Sequence, residues 1–224
     1  KKFIRLIQTV VPEDKHNKNK KNKLIYKKIN LKYLKEFHRY SIDPRLYEYL
    51  GFEPFQSITE TKNYLKKLLM RMSLSNEKSA IYWFIFESKS NTLIGTLGLL
   101  NISYENNSAE IGFGLDPNYW GKGYIIDILQ SIKFYAFNTL ELNRIYGSTL
   151  KKNFRTINSI KASGMISEGT QKQTIKKNNK YHDTWSYRLL KSEFAKIENI
   201  NIKNNNKKNI NNFKNKDIID IVSN

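Results

Sequence analysis

The chain has 224 residues, of which 39 are Lys or Arg and 20 are Asp or Glu, so its formal net charge is +19. It contains no cysteine and only three histidines, which excludes disulfides, a thiol nucleophile and cysteine-based zinc sites. The longest apolar run, about six residues from Ile81, is far shorter than the ~20 residues that span a bilayer. No signal-peptide pattern is visible. We therefore expect a cytoplasmic protein that is attracted to an anionic partner, and composition alone does not choose among a phosphate-rich cofactor, nucleic acid and an acidic membrane.

Two tracts rich in Asn and Lys, 16–23 and 201–216, are predicted to lie outside the folded part of the chain. They contain too few apolar residues to offset the entropy that folding removes. We predict a flexible basic extension at 1–23, a folded domain at 24–196, and an Asn/Lys-rich tail at 197–224 whose end has the apolar spacing of a short helix.

The first half of the predicted domain contains two helices and four strands. A strand is predicted at 24–28 and a helix at about 31–40. Ser57 and Glu60 have the spacing of a capping box, in which hydroxyl and carboxylate satisfy each other's backbone donors, and apolar residues follow at helical spacing as far as Met72. Three further strands are predicted at 80–87, 92–100 and 109–115.

The second half alternates between helices and strands. A helix is predicted at 123–137, a strand at 143–149 and a short helix at 156–163, which Gly164 would end in a left-handed conformation. The last two strands are predicted at 165–172 and 184–190. This order predicts a mixed α/β (α+β) fold around a single central sheet.

The segment LDPNYWGKGYIID at 115–127 predicts an anion site. A strand ends there, Gly121 and Gly123 flank Lys122, and an amphipathic helix begins. Glycines allow a positive φ and a close approach of the backbone to a ligand, and the first helical turn offers unpaired N–H groups to a phosphate. The segment is neither a Walker loop nor a dinucleotide-binding fingerprint. A plain turn has the same letters, so this interpretation stays open from the residues alone.

The sequence AEIGFGLDPNYWGKGY at 109–124, followed by a helix, resembles the acyl-CoA-binding core of the GNAT superfamily of N-acetyltransferases. LGFEPFQSITETKNYL at 50–65 is similar to the substrate-side helix of the branch that acetylates ribosomal-protein N-termini. The other matching segments are 134–147, 153–157, 163–169 and 181–194. The resemblance covers about 24–194 and implies a GNAT fold, with one central, mostly antiparallel sheet that splays apart at the acyl-CoA site and helices on both faces.

The resemblance also implies which residues bind the acyl donor. The pyrophosphate loop of the family falls on 118–123, where Asn118 replaces the usual Gln or Arg, and amides from about Trp120 to Ile125 would hold the CoA diphosphate. Strand residues 113–115 would pair with the pantetheine arm, and Asn153 matches a CoA-contacting Asn. The implied donor-binding set is Phe113, Gly114, Leu115, Asn118, Trp120, Gly121, Lys122, Gly123, Tyr124, Ile125 and Asn153.

The implied reaction is direct attack of a neutral amine on the thioester of acetyl-CoA, which needs a proton acceptor for the amine and a proton donor for the thiolate. Glu110 is the candidate base, and Thr156, where the family usually has Ser, is the candidate acid. Two plainer interpretations stay open. Glu110 is then a solvated or substrate-binding carboxylate, and Thr156 is a hydroxyl that caps a helix. No metal site is predicted.

We therefore predict an acetyl-CoA-dependent N-acyltransferase whose acceptor is a primary amine, either a protein N-terminus or an amino sugar or other small metabolite. Two alternatives are a basic nucleic-acid-binding module and a GNAT-fold protein that binds CoA as a sensor without turnover. The segment KDIIDIVSN at 216–224 is similar to the opening helix of acyl carrier proteins, so a carrier domain downstream is a further candidate partner. A membrane partner is not expected.

Overall fold

The computed structural model describes residues 24–73 and 79–198. The predicted extension at 1–23 and the segment similar to an acyl carrier protein lie outside these residues. Within them, no helix is both long and apolar enough to cross a membrane. The chain divides into two compact units, one that ends at Leu189 and one that begins at Leu190. In the second unit, residues 191–198 are helical, and the Glu193 carboxylate accepts a hydrogen bond from the Leu190 N–H at 3.0 Å.

The elements follow one another in the predicted order. They are β1 (Leu24–Lys28), α1 (Leu34–Ser41), α2 (Ile58–Ser73), β2 (Ser79–Glu87), β3 (Thr92–Ser103), β4 (Ser108–Leu115), α3 (Tyr124–Phe134), β5 (Arg144–Leu150), α4 (Phe154–Ala162), β6 (Ile166–Lys177) and β7 (Lys180–Leu190). Short 3-10 turns precede α1 and α2 and follow β4, at Leu31–Tyr33, Pro44–Tyr47 and Pro117–Tyr119 respectively.

The seven strands form one sheet in the order β1-β2-β3-β4-β5-β7-β6. Neighbours from β1 to β4 pair antiparallel, as do β6 and β7, whereas β4 and β5 are parallel. The parallel pairing covers only 108–110 on β4, although that strand continues to Leu115. The two strands therefore separate beyond Glu110, and the mostly antiparallel sheet with a splayed centre is confirmed.

Helices pack on both faces of the sheet because successive side chains of a strand point to opposite sides. On β2, Tyr82 and Phe84 join the core that includes Phe37 of α1 and Leu65 of α2. The intervening Trp83 is fully buried, and its ring meets Tyr135, just after α3, edge to face with centroids 5.2 Å apart. The predicted coverage of both faces is confirmed.

Three predicted helix ends need correction. Ser57 Oγ accepts a hydrogen bond from the Glu60 N–H at 3.2 Å, but the Glu60 carboxylate accepts from the Gln56 N–H at 2.8 Å, so the predicted capping box is only half formed. The predicted helix at 123–137 is α-helical to Phe134 and then widens into a π-turn at Tyr135–Thr139. The helix predicted at 156–163 begins two residues earlier, because Asn153 caps it. Gly164, at φ 84°, is left-handed as predicted.

The last hairpin is longer than predicted. β6 continues to Lys177, beyond the predicted end at 172, and β7 starts at Lys180, before the predicted start at 184. Asn178 and Asn179 both have positive φ, 48° and 60°, which is the requirement of a two-residue type I′ hairpin turn. Most side chains of β6 are exposed and polar, so the hydrophobic periodicity that predicts strands is missing there.

The ion pair between Arg144 and Glu168, near the start of β6, is expected to make the stability of the fold depend on pH. Arg144 donates two hydrogen bonds to the Glu168 carboxylate, at 2.7 and 2.5 Å, and they hold its pKa below the ordinary 4.5. A carboxyl with a lowered pKa stabilises the fold above its ordinary pKa, and this contribution is lost as the pH falls through the folded value. We expect Glu168→Gln to lower the free energy of unfolding by roughly 0.5–1 kcal/mol at neutral pH and by less at acidic pH, measured by urea unfolding. An equal loss at both pH values would contradict this.

Candidate active site

A cavity of about 290 Å³ lies on the face of the sheet that carries α1 and α2 and extends to the start of α4. Its floor has little side-chain volume because Gly98 and Gly112 pair across β3 and β4, and Gly114 lies further along β4. A Cβ at Gly98 or Gly112 would stand 2.7 Å from the side chain of Tyr82 or Leu100 respectively. Glycine at these two positions therefore leaves room for the Tyr82 and Leu100 side chains, which also line the cavity.

Aromatic rings form most of one wall. Centroid distances are 5.1 Å between Phe55 and Tyr64 and 5.4 Å between Tyr47 and Phe52, so the rings contact one another around the cavity. We call this set the aromatic wall; it consists of Phe37, Tyr47, Phe52, Phe55 and Tyr64. The charged side chains that line the cavity are Arg45 and Arg155.

The opposite side of the cavity is formed by the end of β4 and the start of α4. Residues 113–115 line it, as do Trp120, Ile125 and Asn153, all of which the resemblance implies in donor binding. The Trp120 indole N–H donates to the Leu115 carbonyl at 2.8 Å, and the Arg155 guanidinium lies 4.2 Å from the centroid of the Trp120 ring. This contact joins the two elements next to the splay between β4 and β5.

The loop before α3 has the backbone that its glycines predict. Gly121 and Gly123 are left-handed, with φ 73° and 87°, and a Cβ at Gly121 would meet no atom within 4 Å. Trp120 donates its backbone N–H to the Pro117 carbonyl at 3.2 Å, so this first amide of the implied set is already engaged. The N–H groups of Gly123, Tyr124 and Ile125 have no backbone acceptor in the part of the chain that the structure describes.

Three implied donor-binding side chains make other contacts and do not line the cavity. Asn118 accepts a hydrogen bond from Arg45 at 3.1 Å through its Oδ1. The Lys122 ammonium lies 5.0 Å from the centroid of the Tyr119 ring. The Tyr124 hydroxyl donates to Glu87 at 2.9 Å. Tyr124 therefore fixes the start of α3 to the end of β2.

Asp116 anchors this loop, a role that was not among the predictions made from the sequence. It is 1% exposed, accepts from Arg39 at 2.9 Å and accepts from the Asn118 N–H at 2.9 Å. Arg39 also donates to the Leu93 carbonyl at 2.8 Å, so α1, β3 and the loop are held together. An Asp directly before Pro117 is a typical cap of a helical turn, and this signal was available in the sequence.

The two candidate catalytic residues occupy different positions. Thr156 lines the cavity, and its backbone N–H donates to Asn153 Oδ1 at 3.2 Å. Asn153 is therefore the helix cap, and the interpretation of Thr156 as the capping hydroxyl is wrong. Glu110 pairs with Leu100 on the cavity face of the sheet but does not line the cavity. Its Oε2 accepts from Asn101 Nδ2 at 2.8 Å.

The negative charge of Glu110 affects the pKa of neighbouring tyrosines. Burial is the main cause of the raised pKa of Tyr82 and of Tyr146, and the negative charge of Glu110 raises both further. Tyr82 lines the cavity, and its hydroxyl accepts from Arg71 at 3.4 Å. The charge of the Glu110 carboxylate therefore acts on Tyr82, one of the residues that line the cavity.

Tyr40 of α1 is a candidate functional residue that the sequence analysis missed. Its side chain lines the cavity and is 2% exposed, and its hydroxyl has no hydrogen-bond partner among the described residues. Burial raises the pKa of the Tyr40 hydroxyl far above its ordinary value, so the group stays protonated and can donate. The neighbouring Thr96 side chain offsets part of this rise in pKa, but it is not aligned for an ordinary hydrogen bond with the hydroxyl. A buried hydroxyl without a partner costs free energy unless a ligand satisfies it.

Comparison with known proteins places this geometry in a family. The family model described as an acetyltransferase (GNAT) domain matches residues 23–166. The N-acetyltransferase p20 of Bacillus licheniformis, which its name calls uncharacterized, is 30% identical over 173 residues, or 77% of this chain and 96% of its own length. The ribosomal-protein-serine acetyltransferase of Escherichia coli is 31% identical over 106 residues, or 47% of this chain and 59% of its own.

A solved structure agrees with the fold. The crystal structure of spermidine N-acetyltransferase from Vibrio cholerae in complex with CoA and spermine has a TM-score of 0.66 at 23% identity, and the match covers 77% of this chain and 98% of that one. The motifs at 109–124, the splay between β4 and β5 and these matches agree: the chain belongs to the GNAT acetyltransferase family.

Proposed function

We propose that this chain transfers an acetyl group from acetyl-CoA to a primary amine bound in the cavity. The observation that carries the proposal is the continuity of the cavity. The cavity runs from the end of β4 and the start of α4, where the family resemblance implies the acyl donor, to the aromatic wall, where the acceptor is proposed to bind. A shared cavity is what direct transfer needs, because the two reactants must be held next to each other.

The residues at the donor end suit acetyl-CoA. The amides of Tyr124 and Ile125 have no backbone acceptor among the described residues. Together with the left-handed Gly123 they offer donors and the positive end of the α3 dipole to a diphosphate. Beyond Glu110, β4 no longer pairs with β5, so residues 113–115 can pair with the amide groups of a pantetheine arm. Acetyl-CoA, when bound, supplies an activated acetyl group.

Three residues are proposed to move or hold protons. Thr156 and Tyr40 are among the residues that line the cavity, and the hydroxyl of each is proposed to donate a hydrogen bond to the reacting groups. Glu110 is the proposed proton acceptor for the incoming amine. Because it does not line the cavity, it would act through a water molecule, while Asn101 keeps its carboxylate in place.

Removing the Tyr40 hydroxyl is expected to make the fold more stable and the enzyme less active. Tyr40→Phe should raise the free energy of unfolding by roughly 1 kcal/mol, because it removes a buried polar group without a partner. It should also lower kcat roughly tenfold, since a neutral hydrogen bond contributes about 0.5–1.5 kcal/mol and 1.36 kcal/mol is a factor of ten in rate. Urea unfolding and steady-state kinetics measure the two effects.

Tyr47→Phe is the matched control for stability. The Tyr47 hydroxyl donates to the Ser41 carbonyl, so its removal leaves a buried acceptor without a donor. We expect this variant to be less stable than the wild type. A Tyr40→Phe variant that is destabilised to the same extent, with unchanged kcat, would show that the Tyr40 hydroxyl has only a structural role.

The proposed function is tested by turnover. The full chain is incubated with acetyl-CoA and a panel of primary amines, and release of the free thiol of CoA is recorded. We expect release that depends on the amine. Binding of acetyl-CoA without release for any amine would indicate a sensor, and salt-dependent retention of DNA without binding of acetyl-CoA would indicate a nucleic-acid-binding module.

A further inference from the structure

We infer that the acceptor is a monoamine with an apolar body about the size of an aromatic ring, and not a polyamine. This inference rests on the proposed acetyl transfer and concerns the same cavity. It starts from the charges of the lining: no carboxylate is among the described residues that line the cavity, and the charged groups there are the guanidinium groups of Arg45 and Arg155.

The two arginines have different surroundings. Arg45 is bound to Asp43, with Nη2 and Oδ2 2.6 Å apart, so its charge is largely compensated. Arg155 forms no ion pair with any residue that the structure describes, and its guanidinium lies over the Trp120 ring at the edge of the cavity. A second ammonium group on the acceptor would be desolvated without a carboxylate partner and would be repelled by Arg155.

The glutamates of the segment between α1 and α2 do not contribute a carboxylate to the lining of the cavity. Glu48 and Glu53 belong to the segment between α1 and α2 that contributes to the wall, but both are exposed and neither lines the cavity. The Glu48 carboxylate is already engaged by a hydrogen bond with Tyr49, a residue that lines the cavity, and this bond raises the pKa of that tyrosine. The two glutamates of this segment therefore add no carboxylate to the lining itself.

The aromatic wall favours an apolar body. Phe37 and Tyr64 are stacked with centroids 6.2 Å apart, and Phe52 extends the wall to the surface, where it is 46% exposed. Burying an apolar group against these rings is favourable in proportion to the apolar area removed from water, and ring-to-ring contact adds to this. The attacking amine itself must be neutral, so one nitrogen on an apolar body satisfies both requirements.

The volume restricts the size of the acceptor. About 290 Å³ is just below the range of roughly 300–1,000 Å³ that is typical of ligand pockets. The acetyl-bearing end of the donor must share this space. A ring-sized monoamine fits these limits. The spermidine N-acetyltransferase of Vibrio cholerae shares the fold at 23% identity, and a shared fold does not carry the acceptor specificity from one chain to another.

The test compares 2-phenylethylamine with spermidine as acceptors for the full chain at saturating acetyl-CoA, by thiol release. We expect kcat/KM to be at least roughly tenfold higher for 2-phenylethylamine, a difference of 1.36 kcal/mol in transition-state binding. A higher kcat/KM for spermidine, or for a short peptide with an N-terminal serine, would overturn the inference and leave the proposed function standing. No thiol release with any amine would overturn both.

Two variants test the physical cause. Phe52→Glu places a carboxylate on the exposed part of the aromatic wall, and we expect it to reduce the preference for 2-phenylethylamine over spermidine at least roughly tenfold, by 1.36 kcal/mol. Met70→Glu adds the same charge on the surface of α2, where Met70 is 63% exposed and outside the lining, and should leave the preference unchanged. Equal changes in the two variants would show that only the net charge of the protein matters, which would contradict the inference.

Discussion

Gly123→Val is expected to weaken the binding of CoA by at least roughly 100-fold. Gly123 has φ 87°, a conformation that a β-branched residue avoids, and its N–H lies beside those of Tyr124 and Ile125 at the start of α3. A valine would move the backbone out of this conformation and place a branched side chain against the diphosphate. Hydrogen bonds to charged groups contribute about 1.5–3 kcal/mol each, so losing two of them gives a loss of this size.

The control for backbone strain is Gly164→Val. Gly164 ends α4 with φ 84°, almost the same as Gly123, and lies outside the set of residues proposed to bind the donor. Both variants should unfold at lower temperature than the wild type, but only Gly123→Val should lose CoA affinity in calorimetric titration. A folded Gly123→Val variant with unchanged affinity would remove the loop at 118–123 from the proposed donor site.

Glu110→Gln is expected to lower kcat by roughly 10²–10⁴-fold, the usual contribution of a positioned acid–base group. Glutamine keeps the shape of the side chain and its contact with Asn101, which lies 2.8 Å away, but it accepts no proton from the amine. CoA affinity should change little, because Glu110 lies outside the set of residues proposed to bind the donor. The loss should shrink at alkaline pH, where more of the acceptor amine is already neutral.

Glu105→Gln is the matched control, since Glu105 is exposed in the turn between β3 and β4 and carries the same charge. It should leave kcat near the wild-type value. A fall of less than tenfold at neutral pH for Glu110→Gln would assign the removal of the proton to water. Glu110 would then be a structural carboxylate that tunes the charge around Tyr82.

The sequence predicts well where local chemistry determines the backbone. Asp116-Pro117 ends β4, and the left-handed Gly121 and Gly123 precede α3, because proline and glycine restrict the backbone whatever surrounds them. The end of β6 could not be predicted in the same way, because its exposed polar residues lack a periodic pattern. There the chain direction is set by the Asn178-Asn179 turn, a weaker signal than Asn-Gly.

The cavity itself depends on long-range packing. Its wall combines Tyr40 of α1, Phe55 of the following loop and Tyr64 of α2, and its floor combines Gly98 of β3 with Gly112 of β4. Nothing in the local spacing of these residues shows that they meet, because apolar residues at helical spacing predict only that a helix is buried on one side. The surroundings of the Tyr40 hydroxyl, which has no hydrogen-bond partner among the described residues, likewise depend on neighbours from other elements.

The central claim, that an acetyl group passes from acetyl-CoA to an amine in this cavity, is tested most directly by following the group itself. Acetyl-CoA with a radioactive acetyl carbon is mixed with 2-phenylethylamine and either the wild type or Gly123→Val. The amine and its acetylated product are then separated from CoA, and their radioactivity is measured. We predict label in the amine with the wild type and almost none with Gly123→Val. Label that stays on CoA with the wild type, or equal transfer by both proteins, would contradict the account.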